Sequence, residues 1–119
     1  MALTADEIFG ASPTGPARVS TPEWGGENGE GHVYVRVLGA SEMGDVQKLL
    51  DVPAGSSKEM TVMARLCVFC ISDKDGKRLF ADDAIDRLLG GPMAPMIRCA
   101  NKAITVNGLD TTVQELAGN

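Results

Sequence analysis

Hydrophobic positions alternate along one short segment near the middle of the chain. In residues 32–38, Val33, Val35 and Val37 lie at every second position. A period of two in β-branched residues is typical of a half-buried strand. The pattern therefore predicts a β-strand over His32 to Leu38, which Gly39 closes.

Apolar residues recur at helical spacing in the rest of the chain. The run from Ser57 to about Ile71 is apolar on nearly every side, which is typical of a helix at the centre of a core or of an oligomer interface. Its second half, Leu66 to Ile71, also fits a buried strand.

A turn is predicted at Asp73–Gly76, followed by a possible short strand at Lys77–Phe80. Other predicted helices cover residues 41–50, 81–89, 92–106 and a last short segment to Leu116. The fold class predicted is mainly α (α+β), with four to five helices and one or two short strands.

Residues 1–31 differ in composition from the rest. They contain three of the six prolines and six of the 14 glycines. Such a segment buries too little apolar surface to offset the entropy of ordering it. We therefore predict a flexible N-terminal arm over 1–31 and a single domain over 32–119. A mobile terminus is favoured over an arm that orders on a neighbouring subunit; the possible anchors are Ile8, Phe9 and Trp24.

Length and charge narrow the class of protein. The 119 residues suffice for one core, and 11 Lys and Arg against 16 Asp and Glu give a net charge of −5. This balance argues against nucleic acid or an anionic membrane as a partner. No apolar run reaches the length of about 18 residues that a membrane span needs, and the segment MALTADEIFG lacks the pattern of a secretory signal. Three cysteines fit a reducing cytoplasm.

Two cysteines form a C-x-x-C motif, Cys67 and Cys70. A redox pair would need to be exposed at the start of a helix, whereas this pair lies inside an apolar helix, which predicts buried structural cysteines. Zinc would need four ligands, and the candidates are Cys67, Cys70, Cys99 and His32. This set has no second C-x-x-C, so we predict no metal and no cofactor.

Acidic residues after this helix resemble half of a calcium loop. With Gly76 at the sixth loop position, the first ligand position would be Ile71 and the twelfth Asp82, which removes two essential ligands. A turn is the better interpretation. A solvated helix start is likewise predicted for a second acidic group, at Asp82, Asp83 and Asp86. Motifs for phosphate binding or for an activated nucleophile are missing, so the chain is predicted not to be an enzyme.

Methionine is frequent in this chain, with six in 119 residues. Methionine side chains adapt to irregular surfaces and occur often where a protein accepts more than one partner. Core filling is the alternative role at each position. The partner-binding residues predicted from two apolar helix faces are Met60, Met63, Met93, Met96 and Ile97.

The order of motifs in residues 33–117 resembles that of the tail assembly chaperones of long-tailed bacteriophages. Members of that family have an apolar helix, then a "D-x-D-G-x-x-L-F" turn, an acidic helix start, a further helix and an "N-G-L" segment. Two departures are Ala81, where the family often has a Ser or Thr cap, and a segment rich in helix breakers at 90–95. The matching residues here are Asp73, Asp75, Gly76, Leu79, Phe80, Asp82, Asp83, Asn107, Gly108 and Leu109.

The resemblance implies a non-enzymatic protein of the host cell cytoplasm. Members of the family coat the tape measure protein, help to recruit the tail tube protein and self-associate into oligomers or spirals. Some members also exist in a longer frameshifted form. The alternative class is a structural tail or head–tail joining component that is retained in the virion.

Overall fold

A computed structural model describes residues 1–11, 15–52 and 58–109. This part of the chain has the mainly helical α+β fold that the sequence predicts. The last predicted helix, to Leu116, lies outside the described residues. The helices are α1 (Ala5–Gly10), α2 (Met43–Leu50), α3 (Lys58–Cys70), α4 (Ile85–Leu89) and α5 (Met93–Val106), and the strands are β1 (Ala17–Ser20), β2 (His32–Val35) and β3 (Ile71–Ser72).

Most predicted elements are confirmed with small changes at their ends. The ambiguous segment after Leu66 is helical as far as Cys70, where α3 passes directly into β3. The predicted helix over 81–89 begins with a 3₁₀ turn, Asp82–Ala84, before α4. The predicted strand over 32–38 ends at Val35. The Arg36 N–H nevertheless still donates to the Cys70 carbonyl at 2.8 Å, so the pairing continues one residue beyond the strand.

The three strands form one antiparallel sheet in the order β1-β2-β3. In this register Ala17 lies opposite Val35, and Val35 lies opposite Ile71. The sequence predicted one or two strands, at 32–38 and at 77–80; it missed β1, and it placed Ile71 at the end of the preceding helix, where β3 begins. The segment at 77–80 contributes an isolated bridge from Arg78 to Ser72, so it pairs with β3 rather than with β2.

Residues 17–24 belong to the domain, which corrects the predicted arm boundary at residue 31. Val19 and Thr21 are buried, and Trp24 packs against the core. The Arg98 guanidinium of α5 donates to the Ser20 carbonyl at 2.7 Å and forms an ion pair with the Glu23 carboxylate. This contact joins β1 and the following turn to α5.

The glycines that suggested an arm instead shape the connection from β1 to β2. Gly25 and Gly26 have φ angles of 118° and 100°, which side chains rarely allow. A Cβ atom on Gly26 would lie 2.4 Å from the Gly31 nitrogen, so the two backbone segments approach as closely as glycine permits. Composition alone does not distinguish a tight connection of this kind from a disordered tail.

Helix α3 lies between two hydrophobic clusters and contributes to both. The first, the sheet cluster, includes Val19, Val35, Ala64, Cys67, Cys70, Ile71, Met96, Cys99, Ala100 and Ala103. The second, the α2 cluster, consists of Val46, Leu50, Val62, Leu66 and Leu109. A helix that is buried on two sides has apolar residues around most of its circumference, as the sequence of α3 indicated.

Two arginines cap the C-terminal end of α3. Arg36 donates to the Phe69 carbonyl at 3.1 and 2.6 Å, and Arg78 donates to the Val68 carbonyl at 3.3 and 3.1 Å. The Phe69 ring lies near both guanidinium carbons, at 4.8 and 5.2 Å from its centroid. These contacts satisfy carbonyls that a helix end leaves unpaired and place positive charge at the negative end of the helix dipole.

The turn predicted at Asp73–Gly76 is confirmed. The Asp73 carboxylate accepts hydrogen bonds from the Asp75 and Lys77 N–H groups at 2.8 and 3.0 Å, and these bonds hold the pKa of Asp73 below its usual range. Gly76 has a φ angle of 83°. The carboxylate therefore stabilises the turn itself, and Ile71, at the first position of the alternative calcium loop, is fully buried.

Asn107 links the end of α5 to the chain that leaves β2. Its Oδ1 accepts from the Leu38 N–H at 2.6 Å, and its Nδ2 donates to the Arg36 and Ala103 carbonyls at 3.1 and 3.0 Å. The Asn107 side chain therefore satisfies the backbone hydrogen-bonding groups of the residues that follow β2.

We expect the substitution Asn107→Ala to lower the free energy of unfolding by about 1–3 kcal/mol, because it leaves partly buried backbone groups without partners. Urea denaturation monitored by circular dichroism measures this loss. Asn107→Asp keeps the acceptor but places a negatively charged oxygen against the Arg36 and Ala103 carbonyls at the C-terminal end of α5, so we expect a loss at least as large. A loss below about 0.5 kcal/mol for Asn107→Ala, the range of ordinary surface changes, would contradict the role assigned to this side chain.

Candidate binding surfaces

An apolar groove lies between the start of α2 and the end of α5. Its volume is about 180 Å³. Val37 and Met43 are 38% and 39% exposed there, although both are large and apolar. The lining side chains, which define the α2–α5 groove, are Val37, Leu38, Ala40, Met43, Val46, Val106, Asn107 and Leu109. Charged residues do not occur among them.

Local hydrogen bonds fix both walls of the α2–α5 groove. The Glu42 carboxylate accepts from the Gly39 N–H at 2.9 Å and from Arg36 at 3.2 Å, which sets the direction in which α2 begins. At the other wall, Gly108 has a φ angle of 63° and turns the chain after α5. The Leu109 N–H then donates to the Ile104 carbonyl at 2.9 Å, and its side chain is buried in the α2 cluster.

A second groove, of about 460 Å³, lies between α2, α3 and α4. It combines apolar side chains with charges of both signs. Of the charged members, Arg78 and Asp82 form an ion pair at 2.8 Å, and Arg65 donates to the Leu49 carbonyl at 3.2 Å. The residues that define this α2–α3 groove are Asp45, Lys48, Leu49, Arg65, Val68, Phe69, Arg78, Asp82 and Ile85.

The five predicted partner-binding residues do not form one exposed face. Met93 is 59% exposed at the start of α5, whereas Met96, one turn later, is 3% exposed in the sheet cluster. The role predicted for Met96 is therefore corrected to core packing. Met60 and Met63 are half-buried against the same cluster, and Ile97 is half-buried on α5.

Sequence reasoning missed the α2–α5 groove because its walls come from distant parts of the chain. Residues 37–46 supply one wall and residues 106–109 the other. A periodic pattern reports the face of a single element and carries no information about which elements meet. Two features of the sequence belong to this groove. One is Val37, which continues the alternation of valines beyond the strand, and the other is the segment Asn107-Gly108-Leu109.

The three cysteines are free thiols buried in the sheet cluster. Burial raises the pKa of Cys70 and of Cys99 to about 11. Burial raises the pKa of Cys67 further, and the nearby Cys99 and Cys70 thiols add to this rise. The Cys67 Sγ–H donates to the Met96 carbonyl at 3.2 Å. The prediction of buried structural cysteines is confirmed.

The candidate zinc ligands are not brought together. His32 is exposed on β2, where its Nδ1 lies 3.4 Å from an Arg18 nitrogen, while the three cysteines are buried in the core. Within residues 1–11, 15–52 and 58–109, no group of three or more His, Cys, Asp or Glu side chains is arranged to hold a metal ion. In the same ranges, none of the helices has the length and apolar character needed to cross a membrane.

Comparisons with models of protein families, with curated proteins and with solved structures find no match to this chain. Function is therefore inferred from the surfaces and motif residues of the chain itself.

Proposed function

We propose that this protein is a tail assembly chaperone of a long-tailed bacteriophage. In this role it acts without catalysis in the host cell cytoplasm, binds the tape measure protein and helps to recruit tail tube subunits. The observation that carries the proposal is the α2–α5 groove, an uncharged apolar surface with Val37 and Met43 exposed on an acidic protein. A long helical client with an apolar stripe is the kind of partner that such a groove accepts.

The residues behind the family resemblance have structural roles in this chain, which supports the proposal at the level of the fold. Asp73 and Gly76 form the turn after β3, and Phe80 packs against the sheet cluster. Asn107 joins α5 to the chain after β2, and Leu109 closes the α2 cluster. Residues that fix turns and helix ends are those expected to recur among proteins of one fold, whatever their clients.

The distribution of charge supports a chaperone role. The chain has a net charge of −5, and the lining of the α2–α5 groove has no charged side chain. Apolar client surface can therefore be covered in the groove while the acidic remainder keeps the complex in solution.

Co-expression with a candidate tape measure protein from the same genome tests this function. We expect the client to stay soluble and to co-elute with several copies of this chain in size-exclusion chromatography with light scattering. The double variant Val37→Asp/Met43→Asp places two charges in the groove, and we expect it to weaken client binding by about 100-fold or more. Because both positions are partly exposed, the variant should fold normally.

Two further variants identify the surface. Leu79→Asp changes a residue that is 51% exposed outside both grooves and should leave client binding unchanged. Met93→Asp tests the α5 face that the sequence indicated; loss of binding there, with normal binding by Val37→Asp/Met43→Asp, would overturn the groove assignment. If the client stays insoluble while this protein forms a closed ring alone, a structural joining component of the virion becomes the better account.

A further inference from the structure

Two asparagines of the chain are followed directly by glycine, Asn28 and Asn107. In an Asn-Gly pair the backbone nitrogen of the glycine reaches the side-chain amide carbon readily, because glycine has no Cβ atom to hinder the approach. Attack by that nitrogen is the first step of deamidation. The sequence gives both asparagines the same neighbour on this side, whereas the structure places them in different environments.

Asn107 is held by its surroundings. Its amide makes three hydrogen bonds to backbone groups, of which the shortest is the bond of 2.6 Å from the Leu38 N–H. The Gly108 N–H in turn donates to the Thr105 carbonyl at 3.3 Å. These contacts must open before the Gly108 nitrogen reaches the Asn107 side chain, so the folded state protects this pair from reaction.

Asn28 lies in the connection from β1 to β2 and is exposed. In the part of the chain that the structure describes, its amide makes no hydrogen bond. The residue belongs to a single 3₁₀ turn, Glu27–Gly29, in which it has a left-handed φ angle of 57°. A turn of one revolution on the surface opens easily, and Gly29 rotates without a side chain to hinder it. The Gly29 nitrogen therefore reaches the Asn28 side chain at little cost.

We infer that Asn28 is a site of spontaneous deamidation, a reaction whose only other reactant is water. The Gly29 nitrogen bonds to the Cγ atom of Asn28, and the Cγ–Nδ2 bond breaks. The amide nitrogen leaves as ammonia, together with the proton of the Gly29 N–H. Water then opens the succinimide ring at one of its two carbonyls. Opening at Cγ gives aspartate, and opening at the main-chain carbon gives isoaspartate. This inference is independent of the proposed function.

The isoaspartate product adds one backbone atom to a connection whose two ends lie in close contact. The Thr21 N–H donates to the Gly31 carbonyl at 2.8 Å. A Cβ atom on Gly31 would overlap the Gly25 oxygen, so the two segments have no spare room between them. We expect the longer connection to strain these contacts and to loosen the adjoining pairing of β1 with β2, which includes the pair Ser20 and His32.

Peptide mapping by mass spectrometry tests the site in folded protein that has been incubated at mildly alkaline pH. We expect Asn28 to convert faster than Asn107 by about tenfold or more, with aspartate and isoaspartate both present. In concentrated urea the hydrogen bonds of Asn107 are lost, so the two rates should converge. Asn101 is exposed on α5 but precedes Lys102, and this control for exposure alone should stay unchanged. Equal rates at Asn28 and Asn107 in the folded protein would overturn the inference, and so would a rate at Asn28 that urea raises by about tenfold.

Hydrogen exchange tests the effect on the sheet. Anion-exchange chromatography separates the isoaspartate form, and Asn28→Asp is the matched control because it adds the same charge without the extra backbone atom. We expect the Thr21 amide to exchange about tenfold faster in the isoaspartate form and to stay protected in Asn28→Asp. Unchanged exchange in the isoaspartate form would contradict the predicted loosening. Equally fast exchange in Asn28→Asp would contradict the added atom as its cause.

Discussion

Raising the pH from 9 to 11 is expected to lower the free energy of unfolding by about 2 kcal/mol for each of Cys70 and Cys99. Burial raises the pKa of both thiols from an ordinary value of 9.0 to about 11. Below pH 9 each thiol is protonated in both the folded and the unfolded chain, and the full stability is present. Above pH 9 the unfolded chain loses these protons while the folded chain keeps them. Stability therefore falls with pH, and the fall levels off above pH 11.

Urea unfolding at a series of pH values, with a reductant present, measures this loss. The comparison is with Cys70→Ala and Cys99→Ala, in which every other ionising group is the same. Each alanine variant is less stable at neutral pH because it leaves a small cavity, but its stability should fall less between pH 9 and pH 11. Equal pH dependence in the variants and the unchanged chain would contradict the burial of these thiols as the cause.

The same burial bears on the C-x-x-C motif. The thiolate is the nucleophile in disulfide exchange, and a raised pKa leaves very little thiolate at neutral pH. The Cys67 Sγ–H also donates a hydrogen bond to the Met96 carbonyl within the core. These properties favour a packing role for the cysteines over a redox role.

Elements with a strong local pattern were predictable from the sequence. Helix α3 has nine apolar residues among its 13 positions, and the alternation of valines in β2 is regular, so both elements follow from short-range spacing, although the second half of α3 also fitted a strand. Strand β1 has four residues between segments rich in glycine and proline, and its pairing with β2 depends on a turn that no periodicity reveals. The glycines that follow β1 allow two backbone segments to approach closely. They also give this part of the chain the composition of a disordered arm.

The binding surfaces were harder to predict, for a related reason. Met93 and Met96 lie on one helical stripe, yet one is exposed and the other is in the core. A stripe identifies the apolar face of a helix but does not show how far along its length another element covers it. The two grooves each combine residues from three elements or segments, so they exist only in the folded chain.

The substitution Leu66→Ala is expected to lower the free energy of unfolding by about 2–5 kcal/mol. Leu66 is fully buried on α3, where it packs in the α2 cluster with Val46 and Leu109. Those two residues also line the α2–α5 groove, whereas Leu66 itself does not. Removing three side-chain carbons leaves a cavity beside α3, whose other side is held in the sheet cluster, and such a site collapses poorly. The midpoint of urea unfolding should fall while its slope stays unchanged.

Leu79→Ala is the matched control, because this leucine is 51% exposed and its loss should change stability by no more than about 0.5 kcal/mol. A loss below about 1 kcal/mol for Leu66→Ala would show that α3 is not the helix shared by the two clusters.

The contrast with Val37→Asp/Met43→Asp separates folding from function. Leu66→Ala should weaken client binding only to the extent that the chain unfolds, so added osmolyte, which favours the folded state, should restore binding. The groove variant should remain folded and defective in either solution, because its charges oppose the client directly.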